Sequence, residues 1–148
     1  IMVVIGIDPD SKAHGVAVYK NGKLDKLECM PLMQLYLFID NALECESKVI
    51  VHIENVKGNN ASFKGRQPVN VQKDIGRRIG MVQQSQTEIE RMLEHLGVDY
   101  KLHKISKLWK KDKNQFEKVT GWKGRSNEDT RSAAYFGFLG LKTRANPL

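Results

Sequence analysis

Residues 3–24, VVIGIDPDSKAHGVAVYKNGKL, constrain the fold more than any other stretch of the chain. Val3, Val4, Ile5 and Ile7 form a short apolar run without polar alternation, the pattern of a strand covered on both faces. Gly15 to Tyr19 reads as a second strand. Asn21-Gly22 marks the next turn as a tight hairpin, because a type I′ turn needs positive φ at both central residues. A central strand with an antiparallel neighbour follows from these residues alone. The anomaly is Asp8, a carboxylate that ends the apolar run.

The remaining elements extend this start. Residues 24–29 complete a three-stranded meander, and residues 33–44 read as a helix opened by Pro31. KVIVHIENV, 48–56, is an almost continuous apolar run holding Glu54, a fourth strand. Residues 57–68 carry Gly, Asn and Pro without periodicity and form a long loop, a kind of segment that is usually functional. Ile75, Ile79, Val82, Ile89, Leu93 and Leu96 then recur at helical spacing over 70–96, with Gln86 in the missing place and Gly97 as the stop. That stripe either packs on the core or is shared with a second subunit. Residues 98–105 alternate like a fifth strand. The stretch 106–125 is basic and irregular, with a short helix around 114–119, and Ser126 caps a last helix running to about Lys142. The order β-β-β-α-β-α-β-α implies an α/β fold: a mixed five-stranded sheet, its first three strands antiparallel, with helices on both faces.

A chain of 148 residues fits one domain, 1–148, with Ile1 ahead of Met2 expected to be a cloning remnant. No apolar run approaches the ~18–20 residues of a membrane span, and no charged segment followed by an apolar one marks a leader. Cys29 and Cys45 lack metal or disulfide spacing, and His14, His52, His95 and His103 give no zinc pattern. A cytoplasmic protein is expected, in a bacterial or phage-infected cell. The formal charge is +7, from 24 basic and 17 acidic side chains. Between Tyr100 and Arg125 nine Lys/Arg face two acids, Asp112 and Glu117, so that one segment carries an excess equal to the whole surplus. Such a segment is either a phosphate-tracking surface or a solvated face.

The two doubly buried strands, first and fourth, belong side by side in the sheet, joined through a helix and therefore parallel. Adjacent strands lie ~4.8 Å apart, which makes Asp8 and Glu54 neighbours. At an effective dielectric of ~20 two such charges repel by roughly 3–4 kcal/mol, so one takes a proton or a cation holds both. Magnesium, a hard ion, suits a few carboxylates plus substrate phosphate. A third acid comes with SNEDTRSAAYFGF, 126–138, which puts Glu128 and Asp129 in a first helical turn, followed by Ala133, Ala134 and Gly137, small enough for close approach to the sheet. Each acid has a competing structural reading. Ser126-x-x-Asp129 has capping-box spacing, and Asp8-Pro9 suits a strand exit. Glu54, in an apolar strand, has the weakest one.

Together IGIDPDSKAHGVAV, VIVHIENV and GWKGRSNEDTRSAAYFGF resemble the three motifs of RuvC-like Holliday-junction resolvases, of the ribonuclease-H-like superfamily, and the last looks most like the phage and prophage branch. Sugar kinases open with a similar hairpin but need two such domains. The resemblance spans about residues 2–142. It implies a homodimer, expected to pair through the 70–96 helix, that binds four-way DNA junctions and cuts them with magnesium or manganese, two ions per site. It also implies that Asp8, Glu54 and Asp129 are the catalytic metal ligands. The family has a further acid three residues after Asp129, where this chain has Ser132. Glu128 or Asp10 could compensate, Ser132 could hold a water, or the serine marks an inactivating change. With that acid missing, a junction- or fork-binding protein with impaired cleavage is the alternative, and a nuclease of the same fold acting on RNA–DNA hybrids a third. Lys64, Arg66, Lys73, Arg77 and Arg78 around the start of the long helix, with Lys107, Lys110, Lys111, Lys123 and Arg125, are the expected DNA contacts. Phe63, in the long loop, is the expected base-stacking side chain; Trp109 and Trp122 are expected to be packed.

Overall fold

The computed structural model describes residues 2–58 and 68–144, the side chains up to 142. Strands β1 (Met2–Asp8), β2 (His14–Lys20), β3 (Lys23–Met30), β4 (Lys48–Glu54) and β5 (Asp99–His103) form one sheet in the order β3-β2-β1-β4-β5. β1 pairs antiparallel with β2 and parallel with β4, and β4 pairs parallel with β5. The hairpin has positive φ at Asn21 (51°) and Gly22 (81°), as the Asn-Gly signal predicts. Helices α1 (Leu32–Cys45) and α2 (Val69–Leu96) cover one face; α3 (Leu108–Lys111), α4 (Lys113–Thr120) and α5 (Glu128–Arg144) cover the other. None of the described helices is long and apolar enough to cross a membrane.

Strand periodicity sorts the side chains between the two layers. Val3, Ile5 and Ile7 of β1, with Val49, Val51 and Ile53 of β4, pack under α1 and α2. The intervening positions Val4, Gly6 and Asp8 turn to the α5 side, as do His52 and Glu54. On that side α5 lies directly on the strands. A Cβ on Gly6 would overlap the Ala133 carbonyl oxygen, one on Gly15 would overlap that of Asp129, and one on Gly137 would press into the Tyr19 ring. The Tyr19 hydroxyl donates to the Ala134 carbonyl at 2.7 Å, which fixes the helix along its axis. Fully buried Ala133, Ala134 and Phe136 complete the contact.

Three expectations need correction. The fourth strand ends at Glu54, and Val56–Gly58 form a single 3-10 turn because the Gln86 side-chain Oε1 accepts from the backbone N–H of Val56 (2.7 Å) and Lys57 (3.2 Å). Within α2 only the second half is core. Gln86, Ile89, Met92 and Leu93 are buried, whereas Ile75, Ile79 and Val82 are only partly covered. Residues 108–111, read as irregular, form the one-turn helix α3, because buried Trp109 docks against Phe116, Tyr135 and Phe138. No periodicity marks so short an element.

Gly6→Ala is expected to lower stability by about 3 kcal/mol, since backbone cannot yield to the added methyl. Gly80→Ala, on the open face of α2, should raise stability by roughly 0.5–1 kcal/mol. Urea unfolding of the two variants checks both signs.

Candidate active site

The parallel register of β1 and β4 runs through Gly6↔His52 and Ile7↔Ile53, so Asp8 and Glu54 follow as the next pair, both on the α5 face. Both are buried, at 3% and 4% exposure. Asp129 reaches the same place from the first turn of α5, which the Gly15 contact seats beside the end of β1. Asp8, Asp10, Glu54 and Asp129 line one cavity of about 290 Å³ with Pro9, Val56, Val82, Ile105, Lys107 and Lys110.

Asp129 is free to serve this cavity because it does not cap its helix. The predicted Ser126/Asp129 box is displaced by one residue. Asn127 Oδ1 accepts from Thr130 N (2.8 Å), and Thr130 Oγ1 accepts from Asn127 N (2.9 Å). Ser126 instead accepts from Arg131 at 3.2 Å. Glu128 is exposed and does not line the cavity, whereas Asp10 does. Ser132 is buried, and its Oγ has no hydrogen-bond partner.

The electrostatics are those of crowded acids around the Lys110 ammonium. Burial first, then the charge of Asp8 and a hydrogen bond between the two carboxyls, raise the pKa of Glu54 well above the carboxylate range. Burial and Asp8 likewise raise that of Asp129, against a downward pull from Lys110. The Lys110 ammonium lies 3.2 Å from Asp8 Oδ2 and 4.0 Å from Asp129 Oδ1. Burial disfavours its charge, but Asp8, Glu54 and Asp129 together outweigh burial and leave its pKa raised.

The donor set fits a hard divalent cation: carboxylate oxygens of three elements, and a buried Asp8 Oδ2 whose contact with Lys110 is a charge contact without hydrogen-bond alignment. It is not a ready-made cage. Among the described residues no three His, Cys, Asp or Glu side chains are gathered closely enough to hold an ion. Lys110 stands among the carboxylates instead.

The other expected site residues are spread more widely. Lys73, Arg77 and Arg78 are exposed on the first half of α2, the two arginines paired with Asp74 at 2.8 and 3.0 Å. Lys107 is exposed and lines the cavity; Lys111, Lys123 and Arg125 are exposed and do not line it. Lys110, expected at the DNA surface, points into the acids. Phe63, Lys64 and Arg66 lie outside the described residues. Trp122 is half-buried and donates to the Arg125 carbonyl at 2.9 Å. Sequence reasoning missed Arg131. Its guanidinium is buried and donates to the carbonyls of Trp109 (2.9 Å) and Lys110 (3.0 Å), tying α3 to α5. An arginine inside the small-residue face of a docked helix was the available signal.

Thermus thermophilus RuvC in complex with a Holliday junction substrate matches this architecture with a TM-score of 0.63 at 15% identity, over 98% of this chain and 97% of that one. The fold is the ribonuclease-H-like fold of RuvC. A second Thermus thermophilus RuvC structure matches with a TM-score of 0.58 at 13% identity, over 97% and 96% of the two chains. No protein-family model matches this sequence, and neither does any curated protein. At such identities the RuvC likeness concerns backbone, so the side chains described above carry the chemistry.

Glu54 gives a pH test of the crowding. Its folded pKa is raised, so the folded protein keeps a proton that the unfolded chain releases near pH 4.3. Stability is therefore lost as pH rises from there through the folded pKa. In metal-free buffer Glu54→Gln should match the wild type at pH 4 and exceed it at pH 8.5 by about 1 kcal/mol or more, read by urea unfolding at both values.

Proposed function

We propose that the whole chain is a single nuclease domain, a divalent-metal-dependent endonuclease that cuts branched DNA, four-way junctions above all. The observation that carries this reading is the meeting of Asp8, Glu54 and Asp129 at one cavity, from two adjacent strand ends and a helix start. The RuvC fold, one example of which is bound to a Holliday junction substrate, supports the choice of DNA. Asp8, Glu54 and Asp129 would hold magnesium or manganese, which would supply Lewis-acid stabilisation of the phosphate and lower the pKa of the attacking water.

The chain's own residues do the rest. Lys107, the exposed cation of the cavity lining, faces the incoming phosphodiester, Asp8 and Glu54 keep the ion-holding oxygens at the end of the sheet, and Asp129 closes the cavity from the helix side. In the hydrolysis a water oxygen bonds to phosphorus and the bond to the 3′ oxygen breaks. One water proton is released and the 3′ oxygen takes up another, leaving 5′-phosphate and 3′-hydroxyl ends. Lys73, Arg77, Arg78, Lys107, Lys111, Lys123 and Arg125 track the backbone, with Lys64 and Arg66 as further phosphate contacts and Phe63 stacking at the branch. The Asp74 pairs of Arg77 and Arg78 are surface contacts of little strength, readily exchanged for phosphate. A second copy docks on the exposed first half of α2, where Val69, Val71 and Met81 present apolar surface. The protein works in the cytoplasm, where such DNA lies.

A second reading is favoured by two specific observations. Buried Ser132 supplies no carboxylate, and the acids do not form a closed cage. On that reading the protein binds junctions and cleaves poorly. Labelled four-way, three-way and linear duplexes, incubated with and without magnesium, distinguish the two.

Asp8→Asn is expected to keep junction affinity within about twofold while cleavage falls on the order of 10³-fold, the loss of several kcal/mol of charge stabilisation; retained cleavage removes Asp8 from the chemistry. Junction affinity should drop by about 10³ or more between 50 and 200 mM salt, and a flat response in a gel-shift titration contradicts backbone tracking. Sedimentation velocity should show a dimer for the wild type and a monomer for Met81→Asp.

A further inference from the structure

We infer that Lys110 is a built-in second cation, so that the site binds one divalent ion and uses the lysine ammonium where a second ion would otherwise stand. The inference rests on the metal-dependent reading above and narrows it. Three independent features point to it.

The first is position. The ammonium contacts the carboxylate of the first strand (Asp8, 3.2 Å) and faces that of the last helix (Asp129, 4.0 Å), so it occupies space that an ion shared by those two acids would need. The second is construction. Lys110 does not hang from a free loop. Its helix α3 is anchored through Trp109 in a cluster with Phe116, Tyr135 and Phe138. Arg131 clamps the Trp109 and Lys110 carbonyls onto α5, the helix that presents Asp129. Lysine and acid are thus held by one rigid unit, with Arg131 as positioning residue. The third is charge. Four acids line the cavity, Asp8, Asp10, Glu54 and Asp129, against Lys107 and Lys110. The lining is left at a formal −2, which one divalent ion neutralises. Ser132, one turn into α5, adds no carboxylate that would call for a second ion.

Two positive charges on the scissile phosphate are still provided, one from a metal and one from an ammonium that loses no hydration shell on each turnover. The lysine would lie against a phosphate oxygen, and its length lets it shift by an ångström or two as the phosphate enters.

The test counts ions rather than activity. Manganese is titrated into the full chain and free Mn²⁺ is followed by its electron paramagnetic resonance signal, with Asp8→Asn as the background. The expected result is one specifically bound Mn²⁺ per chain. Lys110→Met should then bind Mn²⁺ at least fivefold more tightly or take a second ion, while four-way junction cleavage falls at least a hundredfold. Lys110→Arg should restore single-ion binding, and thermal melts of all three variants confirm folding. Two specific ions in the wild type, or Mn²⁺ binding and cleavage unchanged in Lys110→Met, overturn the inference and leave the nuclease reading standing. No binding above the Asp8→Asn background overturns both.

Discussion

The structure turns on a charge conflict. Parallel pairing of β1 with β4 in this register leaves Asp8 and Glu54 as adjacent buried carboxyls, and α5 adds Asp129 to the same cavity. No hydrophobic gain explains such an arrangement, and each acid raises the cost of ionising the others. In this structure the conflict is met by the Lys110 ammonium, 3.2 Å from Asp8, and by a raised pKa at Glu54. The glycines where α5 meets the sheet serve the same end, because a helix held one methyl further away would carry Asp129 out of the cavity.

Much of this was legible in the sequence because it depends on local rules. Apolar runs without alternation identify β1 and β4 as central, Asn21-Gly22 sets the hairpin, and Gly97 ends α2 with φ of 72°. The same-face placement of Asp8 and Glu54 follows from strand periodicity once the two strands are paired. What escaped depends on tertiary contacts. Ser126 and Asn127 are equally good caps on paper, and the choice between them is made by the docking of α5, with Arg131 engaging Ser126. α3 exists because Trp109 has an aromatic pocket to fill. Lys110 is one of eight lysines in its segment, and nothing in its spacing separates the one facing acids from those facing solvent. The stripe along α2 looks uniform, yet only its second half meets the sheet.

The division of α2 also separates stability from interaction. Its second half is bound through Gln86, Ile89 and Leu93 to the end of β4 and the core, so the first half projects from a firm base with exposed arginines and apolar side chains together. Lys107 and Lys110 line the acidic cavity together with Val82 of α2, the helix whose first half carries exposed Lys73, Arg77 and Arg78. A negatively charged polymer held between them would be steered toward the carboxylates only if a cation screened the approach. On the proposed function, binding surface and metal site are therefore coupled electrostatically.

The central claim is that Asp8, Glu54 and Asp129 share one cation site. Crystals grown without metal and soaked in manganese, with diffraction recorded at the manganese absorption edge, test it directly. The account predicts an anomalous peak within bonding distance of oxygens from Asp8 and at least one of the other two acids. A saturated soak that leaves this cavity without anomalous density, with Lys110 still seated on Asp8, would contradict it.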